Sequence, residues 1–391
     1  MSIGNKLYEE RLDRYLKAIK CEKPDTVPIR LNIGEWTAKY AGFTLQEVYY
    51  DLDKQFQMVE KVMANWDLDV VRGIGFGLNP PALRNSLDLN FYRFPGVDLP
   101  EDSSFQYHEE DYMKAEDYDD FIANPTKWVV DNYLPRVCNE LAEPGSYRAQ
   151  IAMIKGSVSM LQYTSKLGEV NRRISEEFGF APAVKGMTKA PFDTVGDTLR
   201  GMKGILTDIR RHPEKIIAAC DALIPHNIRY ALAGPGADKT FPVIAPLHRG
   251  AYPFLSVEHW VKFYWPSLKA VIEGLWDQGK SMTFFAEGDW TPYLEYIAEL
   301  PEKSIQFVVD NTDPAKAKEH LGGRFCLIGA IPTTLLTYGT REEVTEMVKR
   351  AIDELGADGG YVLDAGGVIM GDAKLENIEA MIEAGRKFGK Y

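Results

Sequence analysis

The chain has 391 residues, of which 45% are hydrophobic and 26% charged, with a formal net charge of −12. That composition suits a folded globular protein and leaves no room for a long disordered tail. The acidic balance excludes a protein whose affinity rests on gripping phosphate backbones, which requires Lys and Arg to displace counterions.

In chain order, the N-terminus Met1-Ser2-Ile3-Gly4-Asn5-Lys6 lacks an apolar leader, and no apolar run long enough to span a bilayer occurs. A cytoplasmic protein with neither membrane nor nucleic acid as partner is expected. Residues 26–31, after Lys23-Pro24-Asp25, read as an opening strand, 45–66 as a long helical run and 68–71 as a second strand. Gly73-Ile74-Gly75-Phe76-Gly77 lacks the lysine of a phosphate loop and reads as a turn or a close approach to substrate. The stretch 95–125, rich in Asp, Glu and Tyr, reads as a surface excursion or lid. Three further strands are expected between about 100 and 240, with 147–155 the foremost because 150–154 is apolar and Gly156 ends it.

The second half is more regular. Strands are expected at 241–245, 282–286, 305–309, 325–328 and 360–363, with helices at 257–278, 341–355 and 375–388 between and after them. Thr340 and Glu343 have the spacing of a capping box. Strand–helix alternation without a linker predicts one α/β domain over 1–391, a (β/α)8 TIM barrel with an N-terminal helix and loop insertions. Barrels with insertions reach this length.

In such barrels the active site is built from the loops after the strands. That rule selects His248 and Arg249, Glu287 and Asp289, Asp310 and Asn311, and Asp364. Carboxylates and a histidine crowded at one mouth repel unless protons or a cation intervene. Glu287, His248 and Asp310 are therefore the expected catalytic residues and also the expected ligands of a metal such as Zn²⁺. The competing reading is that the aspartates cap helices and His248 is a hydrogen-bonded structural residue.

Trp36, Phe76, Phe178, Phe180, Phe192, Tyr252, Phe254 and Trp290 fall in or near expected loops, where they either pack under the loops or line a site for a flat substrate. Trp36, Phe76, Phe192, Arg249, Tyr252, Trp290 and Asp364 form the expected substrate-binding set. Arg72, Arg84 and Arg249 are the expected cations of the mouth. Cys21, Cys138, Cys220 and Cys326 are scattered without a paired motif and read as small buried hydrophobes.

Glu287-Gly288-Asp289-Trp290 joins other segments that resemble the uroporphyrinogen decarboxylase superfamily over nearly the whole chain. Lys23-Pro24-Asp25-Thr26-Val27-Pro28 resembles its opening strand, Leu255-Ser256 with Phe263 and Pro266 its Leu-Ser-Pro helix, and Gly329-Ala330-Ile331-Pro332 its Gly-Asn-x-x-Pro turn. Asp364-Ala365-Gly366-Gly367 through Glu376-Asn377-Ile378 resembles its closing glycine loop and helix. The Arg-Gln-Ala-Gly-Arg segment that holds porphyrinogen carboxylates is replaced by Asn32-Ile33-Gly34-Glu35-Trp36, which argues against that substrate. The branch that transfers methyl groups to thiols holds zinc with His-x-Cys-Gly and a later Cys; Phe285-Ala286-Glu287-Gly288 and Ala365-Gly366-Gly367 stand there instead.

Gly186-Met187-Thr188-Lys189-Ala190-Pro191-Phe192-Asp193, with Leu199-Arg200-Gly201 and the segment from Asp208 to Pro213-Glu214, resembles the first methyltransferase component of anaerobic methyl-ether O-demethylases. The resemblance implies a cobalamin-dependent methyltransferase whose acceptor is the corrinoid of a partner protein. Its donor would be a small, aromatic methyl ether. Decarboxylation of another acid and methyl transfer to a thiol are the alternatives.

Overall fold

The computed structural model describes residues 3–71 and 81–391. The apolar runs of the second half become five parallel strands: β4 (Val243–Leu247), β5 (Met282–Ala286), β6 (Ile305–Val309), β7 (Cys326–Ile331) and β8 (Tyr361–Ala365). They pair in the order β8-β7-β6-β5-β4, and nearly every residue in them is buried, as expected of strands covered on both faces. Three two-residue strands, β1 (Arg30–Leu31), β2 (Val70–Val71) and β3 (Ala181–Pro182), pair in the order β1-β2-β3.

Two seams join the sheets into a ring. Ile29 bridges to Leu363 in parallel, and the Leu363 amide donates to the Pro28 carbonyl at 3.0 Å. Beyond β3, Met187 bridges to Ile244, and the Lys185 amide donates to the Pro242 carbonyl at 2.9 Å. Eight parallel strands in chain order with helical crossovers make the (β/α)8 barrel.

The lumen is filled by Val70, Ala181, Ala183, Ile244, Phe285, Val308, Ile328 and Val362, clustered with Tyr15, Ala18 and Ile19 of the N-terminal helix Ile3–Ile19. That helix closes the N-terminal end of the barrel. Tyr15 donates to the Ala183 carbonyl at 2.8 Å, and Arg14 pairs with the buried Asp69, which directly precedes β2. Function is left to the opposite end, where the strands terminate.

Several sequence expectations need adjustment. The helical run 45–66 is two helices, Leu45–Tyr50 and Leu52–Asn65, because Asp51 turns extended and caps the second through the amides of Asp53 and Lys54. Residues 147–155 are not a strand but the first part of a 30-residue helix, Tyr147–Glu176, started by Ser146, whose side chain accepts from the Ala149 amide at 3.1 Å. Between 100 and 240 the described strands are β3 and Gln106–Tyr107, which forms a hairpin with Tyr92–Arg93. Helix Arg341–Ala351 carries the expected Thr340/Glu343 capping box, and the last helix is Leu375–Phe388.

The acidic excursion lies against the barrel. Its hairpin leads to helix Tyr118–Ala123, with Tyr112, Met113, Tyr118 and Phe121 buried. Arg136 ties it down through Asp117 at 2.5 Å and the Tyr112 carbonyl at 2.7 Å, and Arg200 reaches Asp111 at 2.6 Å. Among the described residues no helix is long and apolar enough to cross a membrane.

Candidate active site

β4 ends at Leu247, so His248 and Arg249 open the mouth loop above it. Their backbone is fixed by Asp193, a fully buried carboxylate that accepts the His248 amide at 3.1 Å, the Arg249 amide at 2.9 Å and the Tyr264 hydroxyl at 2.9 Å. Four residues on, within a π-helical turn spanning Thr194–Leu199, Asp197 turns toward the same loop. The wider turn places both carboxylates against β4, an arrangement often met where helices carry function.

Asp197 is the hub. One of its oxygens takes His248 Nδ1 at 2.7 Å and Lys189 Nζ at 3.0 Å, and the other takes Arg249 Nε at 2.7 Å. Arg249 continues outward to Glu109 of the excursion at 2.5 Å, and the Tyr107 hydroxyl donates to the Asp197 carbonyl at 2.5 Å. On the other side of the imidazole, His248 Nε2 stands 3.7 Å from Glu287 Oε2 above β5.

Charge follows from this geometry. Burial lowers the His248 pKa, but the Asp197 hydrogen bond and charge, joined by the charges of Asp193 and Glu287, outweigh it and hold the imidazole above its ordinary value. Burial raises Asp197, yet the His248 hydrogen bond and the charges of Lys189, His248 and Arg249 win and keep its carboxyl well below the usual range. The site is therefore an imidazole whose protonated form is favoured by a permanent carboxylate, with Nε2 presented toward Glu287.

The expected metal set does not gather as one. Among the described residues no group of three His, Cys, Asp or Glu side chains is placed to hold a metal ion. Asp310, above β6, accepts the Gly288 amide at 2.8 Å and lies beside Gly366, and burial raises its carboxyl. His248 Nε2 stands toward Glu287 while Asp310 is taken up by the Gly288 amide, so the three expected ligands do not form one set.

The substrate-binding expectations divide. Arg249 is in the cluster, and Tyr252, which is 46% exposed, stands at the rim with its amide on the Asp289 carbonyl at 2.8 Å. Phe254 lies under the Arg249 guanidinium at 5.4 Å. Trp36, Phe192 and Trp290 are buried instead: Trp36 stacks on Tyr40 and Trp66 and donates to Ala373, Phe192 packs on Tyr264, and Trp290 sits among Phe284, Tyr264 and Tyr293. Asp364 is fully buried, taken up by Arg30 Nε at 2.5 Å and the Asn32 amide at 2.9 Å. Phe178 and Phe180 lie at the far end of the barrel, against Arg11 of the N-terminal helix. Phe76 and Arg72 lie outside the described residues. Arg84 pairs with Asp98 at 2.8 Å. Cys138, Cys220 and Cys326 are buried as expected; Cys21, half-buried, packs on Gly360 just before β8, away from the mouth.

Sequence reading missed Asp197, Lys189 and Glu109. Lys189 and Asp193 stand in the Gly186–Asp193 motif already singled out, eight and four residues before Asp197, and that motif was the available signal.

Comparison with known proteins bears on the whole arrangement. Residues 112–388 match the family described as Uroporphyrinogen decarboxylase (URO-D). A uroporphyrinogen decarboxylase of Danio rerio is 35% identical over 90 residues, a match that covers 22% of this chain and only 24% of that protein's length. Among solved structures, a methyltransferase from Methanosarcina mazei superposes with a TM-score of 0.68 at 16% identity, covering 97% of this chain and 98% of its own, so the two share the barrel fold. With well over half of its length inside the family match, the chain belongs to the uroporphyrinogen decarboxylase family.

Proposed function

We propose that this barrel is a methyltransferase that removes the methyl group of a small methyl ether, preferably aromatic, and delivers it to the cobalt of a corrinoid carried by a partner protein. The observation that carries the reading is His248: an imidazole whose pKa Asp197 raises above its ordinary value, at the C-terminal end of β4, with Nε2 free of that clamp. An ether oxygen is a poor leaving group, and a positioned proton at that oxygen is what C–O cleavage lacks.

In this reading the acceptor's reduced cobalt supplies the electron pair for the new bond to carbon. The C–O electron pair stays on oxygen, which takes the proton from His248 Nε2 and leaves as the phenol. Glu287 faces the same nitrogen and returns the proton from solvent for the next turnover. Asp193 and Asp197 hold the loop and the imidazole, and Tyr252 and Phe254 offer the apolar rim against which a flat ring packs.

The likeness to the Methanosarcina methyltransferase supports methyl transfer, and membership of the uroporphyrinogen decarboxylase family keeps decarboxylation in view. Against the latter, two of the three cations expected to anchor another acid are already paired, Arg249 with Asp197 and Glu109 and Arg84 with Asp98, while Arg72 lies outside the described residues. A thiol acceptor held by cysteine-ligated zinc is disfavoured because three cysteines are buried and Cys21 lies at the other end.

The test incubates the protein with a methoxylated phenol and a corrinoid kept reduced by titanium citrate. Free phenol and the absorbance of methylcobalamin should appear together, and His248→Gln should lower the rate by about 10²-fold or more, the usual contribution of a positioned acid. No methyl transfer from any of a panel of ethers, amines and thiols would sink the reading.

A further inference from the structure

Glu109 lies in the acidic excursion, between its hairpin and helix Tyr118–Ala123, and it is held from two sides. Its Oε2 takes Arg249 Nη2 at 2.5 Å, and its Oε1 takes the Met202 amide at the start of helix Gly201–Arg211. The approach is close: a Cβ on Gly201, whose φ is +65°, would stand 3.3 Å from the Glu110 carbonyl oxygen and 3.4 Å from Glu109 Oε1. The next two acids turn elsewhere, Glu110 to His108 at 2.7 Å and Asp111 to Arg200 at 2.6 Å. Of the three, Glu109 is the one that reaches the mouth cluster.

The charges there explain what it does. Asp197 is one carboxylate shared by three cationic groups, His248 at 2.7 Å, Arg249 at 2.7 Å and Lys189 at 3.0 Å. Glu287 faces the imidazole from its other side at 3.7 Å. Asp193, whose carboxyl is pushed up by burial and by the Asp197 charge, is spent on the His248 and Arg249 amides and the Tyr264 hydroxyl. The Tyr107 hydroxyl on the Asp197 carbonyl adds no charge. A guanidinium does not shed its proton in proteins, whereas an imidazole readily does. Repulsion from Arg249 is therefore relieved at His248 unless an anion balances that cation from outside.

We infer that Glu109 is a positioning residue of the mouth: by holding Arg249 from the outer side it cancels that cation's repulsion of the His248 proton, so that the excursion sets how firmly the imidazole holds it. The catalytic meaning of the inference rests on the reading of His248 as the acid.

Ring-labelled histidine in the full chain follows the six imidazoles by NMR, and His248→Gln identifies the His248 resonance. Glu109→Gln should move the His248 titration to lower pH and Arg249→Met should move it to higher pH, because the first removes an anion and the second a cation. The double variant should titrate between the two. A mere loosening of the loop would carry both single variants the same way, toward the ordinary imidazole value. An unmoved titration in Glu109→Gln, or a shift of both single variants in one direction, overturns the inference. With a methoxylated phenol as donor, kcat/KM of Glu109→Gln should fall about tenfold on the alkaline limb. A titration that moves while that limb stays fixed supports the charge balance at Glu109 and overturns His248 as the acid, so the two failures are distinguishable.

Discussion

At His248 two opposing effects meet, since burial disfavours the imidazolium while Asp197, Asp193 and Glu287 favour it, and the carboxylates prevail. A folded-state pKa above the ordinary value, about 6.5, means that the acid form is fully present below that value and is lost as pH rises through the folded-state pKa. Activity should therefore fall only at a pH above the ordinary imidazole range. Asp197→Asn removes the largest favourable contributions, so the alkaline limb of kcat/KM should move to lower pH and the rate should drop by about 10²-fold. An unmoved alkaline limb would remove His248 from the role of acid. At the other extreme Asp197, whose carboxyl is held low, contributes stability that is present above its unfolded value, about 3.9, and is lost as pH falls through its folded value. His248 and Glu287 were legible because they follow strand ends. Asp197 was not, because an aspartate inside a helical stretch looks like a solvated or capping residue until the fold turns it inward.

The π-turn at Thr194–Leu199 is what turns it. One extra residue in the turn shifts every following side chain by about 100° relative to an α-helix. Deleting Gly196 should return the segment to α-helical period, rotate Asp197 off His248 and move the imidazole titration, followed by NMR, down toward its ordinary value. Activity should fall as far as with Asp197→Asn, and a retained high imidazole pKa would show that the turn does not set the contact. No sequence pattern announces such a turn, whereas β5 and β6 were read residue for residue, because buried parallel strands are continuous apolar runs with sharp polar ends. β1, β2 and β3 have two residues each and left little pattern to read. At 150–154 the same rule misled: a short apolar run does not distinguish a buried strand from a helix, and here it marks an exposed helical face.

Across the whole molecule, one of the two seams that close the ring lies where β1 meets β8. β1 and β8 share few backbone bonds, and Arg30 Nε bridges them to Asp364 at 2.5 Å with both side chains almost completely buried. Asp364 also accepts the amides of Asn32 at 2.9 Å and Ala365 at 2.7 Å, so a single carboxylate orders the start of the first mouth loop and the end of the last strand. Removing one partner of a buried pair leaves an uncompensated charge in a low-dielectric interior, which costs about 3 to 5 kcal/mol. Asp364→Asn keeps the size of the side chain, so its loss would report charge rather than a cavity. Arg30→Met should cost as much by stranding Asp364. The double variant removes both charges and should recover most of the loss, because replacing a buried pair by apolar groups of similar volume is often neutral. Denaturant unfolding of the four proteins measures these differences directly. If the single substitutions cost no more than the double one, the pair does not hold the seam, and closure there rests on the backbone bonds at Pro28, Ile29 and Leu363 and on those of Asn32 and Gly34 with Ile369.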